Sequence, residues 1–218
     1  MTKVVLIRHG ETEWNLLGKY QGQTDIALTD KGREQAKLLA KHFPVKELHA
    51  VYSSDLSRAM ETAGFVAEKF SLKVRPEPSF REMNFGEWEG LTHKEIATRW
   101  EEGLNNFITR PDILKVPNGE NFQVLQKRAV KRLYELVEKH DGETVAITAH
   151  GGVLRTILAA ALEMPLKNLW RLRLFNTAVS IVNYAETPVV ECINDTKHLM
   201  LDNPTFTPNS VDIFQVRQ

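Results

Sequence analysis

Val4-Val5-Leu6-Ile7-Arg8-His9-Gly10 is a short apolar run that ends in arginine, histidine and glycine. A second run, Thr144-Val145-Ala146-Ile147-Thr148-Ala149-His150-Gly151-Gly152, also closes on histidine and glycine. Apolar runs of this length read as buried strands of a parallel sheet. In open α/β sheets, ligands bind just beyond the carboxyl ends of the strands. Two histidines delivered to that edge, with arginine beside one and glycine after both, point to a phosphate site with a histidine nucleophile.

Strand and helix signals alternate outward from these runs. Residues 3–8 read as the first strand. Thr29 caps a helix whose apolar positions Ala36, Leu39, Ala40 and Phe43 recur until Pro44. A second strand covers 49–53, and a helix over about 55–70 carries the stripe Leu56, Ala59, Met60, Ala63, Val66, Ala67 and Phe70. Lys73-Val74-Arg75 reads as a short third strand. Residues 79–118 are less regular, with one helix near 92–107, and read as a specificity excursion over the sheet edge. A long helix near 120–140, the second His-Gly strand and a helix over 151–163, apolar on most sides, follow. Strands near 178–184 and 188–194 come last, and a tail from about 196 shows no periodicity and reads as a loosely packed arm. The pattern predicts an α/β fold with an open, mostly parallel central sheet and helices on both faces, a three-layer α/β/α arrangement formed by one domain over 1–218.

Bulk properties narrow the function. The 218 residues are 42% hydrophobic and 26% charged, with 28 basic and 28 acidic side chains. A net charge of zero argues against nucleic acid held on a broad basic surface, but two or three converging arginines suffice for a small anion. Cys192 is the sole cysteine, so no internal disulfide forms, and its apolar neighbours predict a buried strand thiol. The amino-terminal residues carry no signal-peptide pattern and no apolar stretch reaches membrane-spanning length, so a cytoplasmic enzyme with no membrane partner is expected. Monomer and homodimer are equally open, with an edge strand near 188–194 able to pair.

A neutral imidazole attacks phosphorus well and gives a labile N–P bond. His9 therefore reads as a nucleophile, Arg8 as an anion clamp and Gly10 as a point of close backbone approach to phosphate. Alone, Arg-His-Gly fits equally a strand-end histidine that caps a helix. Arg58 stands in the first turn of its helix, off the apolar stripe and opposed to the helix dipole, which marks it as functional. Its ordinary alternative is a solvated arginine paired with Glu61 or Glu11. His150 opens a helix whose amides would face an anion. His42, His49, His93, His140 and His198 read as structural. No HExxH, CxxC or carboxylate cluster occurs, and neither a Walker loop nor GxGxxG, so neither metal nor cofactor is expected. For a general acid, Glu82, Glu87 and Glu89 in Phe80–Gly90 are candidates that spacing does not separate.

Four ordered motifs carry a resemblance. Leu6-Ile7-Arg8-His9-Gly10-Glu11-Thr12-Glu13-Trp14-Asn15 resembles the signature of the histidine phosphatase superfamily, the phosphoglycerate mutase-like proteins. Leu28-Thr29-Asp30-Lys31-Gly32, Tyr52-Ser53-Ser54-Asp55-Leu56-Ser57-Arg58-Ala59 followed by Thr62, and Ala149-His150-Gly151-Gly152 resemble three further family motifs, so the likeness spans 3–184. The resemblance implies His9 as the residue that becomes phosphohistidine, and Arg8, Arg58 and His150 as the phosphoryl clamp. Asn15, Gln21, Gly22 and the Gly151 amide would assist. Arg81-Glu82-Met83-Asn84-Phe85-Gly86-Glu87-Trp88-Glu89-Gly90 is similar to a form in which the first glutamate, here Glu82, is the proton donor and later the base.

The implied reaction is metal-independent hydrolysis of a small phosphomonoester. Glu82 must start protonated, so a mildly acidic optimum is expected, and a protonated His150 would hold a phosphoryl oxygen. The family's mutases typically carry Glu-Arg-His-Tyr-Gly where this chain has Arg81 to Gly86, and a longer basic insertion. Here 92–118 sets Trp100, Leu104, Phe107 and Ile108 beside Lys94, Arg99, Arg110 and Lys115, which favours a phosphatase with room for an apolar or bulky group. The motifs most resemble α-ribazole phosphatases of cobalamin assembly and their broad-specificity relatives. A phosphoglycerate mutase and a non-catalytic phosphate-ligand-binding protein are the alternatives.

Overall fold

A computed structural model describes residues 1–202. Six strands form one open sheet: β1 (Thr2–Arg8), β2 (Ala50–Ser53), β3 (Val74–Pro76), β4 (Thr144–Ala149), β5 (Val179–Tyr184) and β6 (Val189–Asp195). Their order is β3-β2-β4-β1-β5-β6. The first four run parallel, and β5 and β6 join antiparallel. The sheet is thus mostly parallel and open, as the alternation predicts.

β1 lies between β4 and β5, which explains its unbroken apolar run. Period-two alternation sends its side chains to opposite layers. Val5 and Ile7 enter a core with Leu39, Ala63 and Val66 from α2 (Asp30–Lys41) and α3 (Ser57–Lys69). Val4 and Leu6 enter the larger core, with Phe122, Leu125 and Ile157 from α5 (Phe122–Lys139) and α6 (Gly151–Ala161). Helices therefore cover both faces. Thr29 caps α2 by accepting from the Gly32 amide. α6 buries residues on every side, so its lack of a polar stripe reflects its place between sheet and excursion. Two further helices border the site: α1 (Glu13–Leu16), a single turn too short to show periodicity, and α4 (His93–Thr109), which kinks at Trp100.

Three expectations need correction. The tail is not a loose arm where it begins: Leu199 and His198 are buried, and Asp202 accepts from Lys41 and His42. The rest of the tail lies outside the described residues. Cys192 is half-buried, because β6 is an edge strand, and burial raises its thiol pKa. Gly10 does not open the backbone to phosphate. Its amide donates to Thr62 Oγ1 at 3.0 Å, and a Cβ there would stand 2.5 Å from the Gly32 carbonyl oxygen. Glycine at position 10 lets the β1 exit cross the start of α2. Among the described residues, no helix is long and apolar enough to cross a membrane.

Candidate active site

β1 and β4 pair in parallel with Arg8 beside Ala149, so His9 and His150 leave the sheet at the same edge. Their ring centroids lie 5.1 Å apart. His9 is 3% exposed. Its Nδ1 lies 2.7 Å from its neighbour's carbonyl oxygen at Gly10. A carbonyl only accepts, so this contact places the proton on Nδ1 and leaves the Nε2 lone pair for attack. Burial first, then the charges of Arg58 and Arg8, push the His9 pKa well below the ordinary imidazole value. The imidazole is neutral at physiological pH. Asn176 Nδ2 and the Thr177 amide bond the His9 carbonyl, fixing its backbone.

Arg58 is fully buried in the first turn of α3. It is not the solvated arginine of the ordinary alternative: Glu61 pairs with Arg33, and Glu11 with Lys31. Arg58 instead donates to the carbonyls of Gly22 (2.8 Å) and Thr24 (2.9 Å) and, through Nε, to His150 Nδ1 (3.2 Å). Two carbonyls and a ring nitrogen offset its opposition to the helix dipole. Burial lowers its pKa to about 10, against the pull of Glu82, Asp25 and Glu89, so it stays charged. Arg8 Nη1 donates to the Leu174 carbonyl at 2.6 Å, aiming the guanidinium across the same pocket.

His150 is the N-cap residue of α6. With Nδ1 accepting from Arg58, its Nε2 carries the proton and meets Ser54 Oγ at 2.8 Å. Burial, then Arg58, His9 and Arg8, hold it well below the ordinary value. Without a bound anion it is therefore neutral; the protonated His150 expected from the sequence is the form that holds a phosphoryl oxygen. The positive charge of this cluster resides on the arginines.

Glu82 lines the same pocket. It accepts from the amides of Gly152 (2.8 Å), Val153 (3.1 Å) and Met83 (2.9 Å). These α6 amides were expected to face a bound anion, and a side-chain carboxylate takes two of them instead. Gly152 is required for this seat, since a Cβ there would overlap Glu82 Oε1. Glu89 has a different role. It accepts from Gln23 N, Thr24 N, Thr24 Oγ1 and Phe85 N, clasping the 20–25 loop that holds Arg58. Glu87 bonds exposed Asn118. The three glutamates that spacing left equivalent are thus separated by their partners.

Asn15, Gln21, Gly22 and Gly151 all line the pocket. Asn15 Oδ1 closes a capping box with Thr12 and accepts from Asn176, and Gln21 Oε1 accepts from Thr12 Oγ1. Sequence reading picked out Phe107 and missed the rest of the pocket's far wall. Tyr20, Phe85, Phe107, Phe122 and Trp170 form an aromatic side, with Trp170 and Phe107 at 4.7 Å. Lys19, His93 and Arg155 also line it. His93, read as structural, has its Nδ1 3.5 Å from the Tyr20 hydroxyl. Of the residues singled out over 92–118, Phe107 lines this pocket, whereas Trp100, Leu104, Ile108, Lys94, Arg99, Arg110 and Lys115 do not. Two loops (Tyr20, Phe85), the end of α4 (Phe107), the start of α5 (Phe122) and the 3-10 turn Leu166–Arg171 (Trp170) meet to form this wall.

A buried neutral imidazole between guanidinium groups at a sheet edge is an arrangement chemically able to hold and attack a phosphoryl group. The pattern of the histidine phosphatase superfamily (branch 1) matches residues 4–196. The chain belongs to that family and is a phosphatase of the histidine type. It is 35% identical to a metal-independent phosphoserine phosphatase of Arabidopsis thaliana over 91% of this chain and 84% of that one. Among solved structures it resembles a phosphoserine phosphatase mutant of Entamoeba histolytica in complex with phosphoserine. That match has a TM-score of 0.82 and 33% identity over 91% and 100% of the two chains. The α-ribazole phosphatase of Shigella flexneri is also similar, with a TM-score of 0.80 and 29% identity over 89% and 96%.

Proposed function

We propose that the chain is a metal-independent phosphomonoester hydrolase that works through a phosphohistidine at His9. The observation that carries this reading is the state of His9: neutral, with Nδ1 tied to Gly10 and Nε2 left for in-line attack. His9 Nε2 bonds to phosphorus as the ester P–O bond breaks, and the departing alkoxide takes a proton from Glu82. Water then attacks the phosphohistidine and gives a proton back to Glu82, while the N–P electron pair returns to His9 as phosphate leaves. Arg8 and Arg58 neutralise the equatorial oxygens in both steps, as a divalent cation does in other phosphoryl-transfer sites. Asn15, Gln21, Gly22 and the Gly151 amide line the phosphate cradle.

The pocket favours a compact phosphomonoester with an apolar or aromatic portion against Phe85, Phe107 and Trp170. Lys19 and His93 at the same wall suit a carboxylate beyond the phosphate, which fits the phosphoserine phosphatase likeness. The aromatic wall equally accepts the flat base of α-ribazole 5′-phosphate. The segment 79–118 supplies Glu82, Phe85, His93 and Phe107, and we read it as the specificity element.

The test is phosphate release, with EDTA present, from phosphoserine, α-ribazole 5′-phosphate, 3-phosphoglycerate and p-nitrophenyl phosphate. Release that vanishes in His9→Ala, with an acid-labile phosphoprotein trapped in the wild type, is expected. Isomerisation of phosphoglycerate without phosphate release would overturn the reading in favour of a mutase. Binding of these esters without turnover would make it a binding protein.

A further inference from the structure

Glu82 is held at two ends. Its carboxyl group lies against the α6 amides, but its backbone runs through 81–85, where no helix or strand fixes it. The fixing comes from α5. That helix turns Leu125, Ala129 and Leu133 into the core, and Arg128 and Arg132, each one residue before a core position, share its flank. Arg128 Nη1 donates to the carbonyls of Ser79 and Arg81, and Nη2 to the carbonyl of Glu82 itself, each at 2.8 Å. Glu120 accepts from Nε and Nη2, both at 2.9 Å. A guanidinium has five N–H donors in a rigid plane, and these five bonds use each of them once.

Glu120 closes on the same segment. It accepts from the Asn84 amide at 2.9 Å, and its own amide donates to the Asn84 carbonyl at 2.8 Å. Burial works to raise its pKa, but the bonds from Arg128 and the Asn84 amide hold it below the ordinary carboxylate value, so the pair is ionised. Gln23 Nε2 adds a longer bond to the Glu82 carbonyl, at 3.3 Å. One turn further along α5, half-buried Arg132 donates to the side chains of Glu77 and Glu135 instead. Arg128 does not line the catalytic pocket. Burial and nearer charges lower the His150 pKa, and the charge of Arg128 adds the smallest push.

We propose that Arg128 is a positioning residue for Glu82, an inference that rests on the reading of Glu82 as proton donor. By fixing the carbonyls of Ser79, Arg81 and Glu82, it sets how far the Glu82 carboxyl group reaches toward a leaving oxygen. Three carbonyls and a carboxylate are met from one plane, which a guanidinium fork does and an ammonium does not. A misplacement of about 1 Å costs about 10²-fold in rate. The phosphoryl clamp is built on other elements, with Arg8 on β1 and Arg58 on α3, so the attack by His9 is spared.

Single-turnover kinetics of Arg128→Lys, Arg128→Gln and Arg132→Gln test this, with Glu82→Gln as the reference. Each is measured on the best alkyl phosphate of the panel and on p-nitrophenyl phosphate. An alkoxide leaves only with a proton, whereas p-nitrophenolate needs none. Both Arg128 variants should slow the alkyl ester about 10²-fold and keep the p-nitrophenol burst at its wild-type rate. Arg132→Gln should change neither. Arg128→Lys keeps the charge and loses the fork, so a wild-type alkyl rate in that variant would assign the effect to charge and overturn the proposal. Equal losses on the two esters would mark a merely structural role and overturn it too, as would an equal loss in Arg132→Gln. If Glu82→Gln itself treats the two esters alike, the proton-donor reading fails and the proposal with it. If Glu82→Gln separates them and the Arg128 variants do not, only the positioning role fails. Where Arg128→Gln does not fold, Arg128→Lys, which can still pair with Glu120, carries the same test.

Discussion

Replacing Gly152 by alanine separates the seat of Glu82 from the rest of the site. An added Cβ would overlap Glu82 Oε1 and stand 3.1 Å from Glu82 Cδ. The carboxylate is the movable partner, so it swings off the α6 N-terminus and loses the Gly152 and Val153 amides. Two amide bonds to the carboxyl group, each worth about 0.5–1.5 kcal/mol, are set against about 1 kcal/mol regained from alanine's helix propensity. Stability therefore falls by roughly 0–2 kcal/mol, since the freed carboxyl group faces a pocket open to water. The catalytic effect is larger and selective. General acid catalysis is worth about 10²–10⁴-fold, and an alkoxide needs it where p-nitrophenolate does not. Single-turnover kinetics on the best alkyl phosphate of the panel should slow by about that factor. The burst of p-nitrophenol from p-nitrophenyl phosphate should keep its rate, with only the later, water-dependent step slowed. Equal losses of the first step on both substrates, or no loss on the alkyl ester, would refute Glu82 as the proton donor.

Other predictions follow from the same contacts. Because burial and two arginines hold His9 and His150 below the ordinary imidazole range, the first step should not lose rate as pH falls through 6.5; a stopped-flow pH profile of the p-nitrophenol burst checks this. A bound dianion reverses the field on His150, so orthovanadate binding should take up a proton near neutral pH, read as a buffer-dependent binding enthalpy. Burial pushes His198 down to about 4 from 6.5. Between those values the unfolded chain binds the extra proton, so stability is full above pH 6.5 and His198 removes about 3 kcal/mol of it as pH falls to 4. His198→Gln should flatten that part of a denaturation-versus-pH curve. Gly22 has φ +52°, and a Cβ there would stand 2.5 Å from Glu89 Cδ. Gly22→Ala should therefore loosen the carbonyls on Arg58 and weaken orthovanadate binding about tenfold, the loss of one charge-assisted bond, while Glu87→Gln leaves it unchanged.

The elements legible in the sequence were those whose burial is set locally. The Val4–Ile7 run, the Thr29 cap and the α3 stripe each follow from a period or a cap within a dozen residues, and each stands where expected. The antiparallel entry of β5 beside β1 was not legible, because an apolar six-residue strand reads alike in either direction. The aromatic wall was legible only at Phe107, for a related reason. Tyr20, Phe85, Phe122 and Trp170 stand in segments separate from Phe107 and from one another, and no local pattern joins them to it.

The charge state of the site was legible only in part, and the difference bears on mechanism. Sequence shows two histidines and two arginines at one edge and leaves the charge free to sit on any of them. In the folded chain, Arg58 donates to His150, and Gly10 accepts from His9, so both imidazoles are fixed as neutral tautomers before substrate arrives. A site whose permanent charge lies on arginines and whose two histidines are neutral attracts a dianion without protonating its own nucleophile. Had His150 carried a charge at rest, its 5.1 Å approach to His9 would have placed a further cation against that ring. The buried arginines thus do what a protonated histidine would do for the phosphate, and keep His9 available to react.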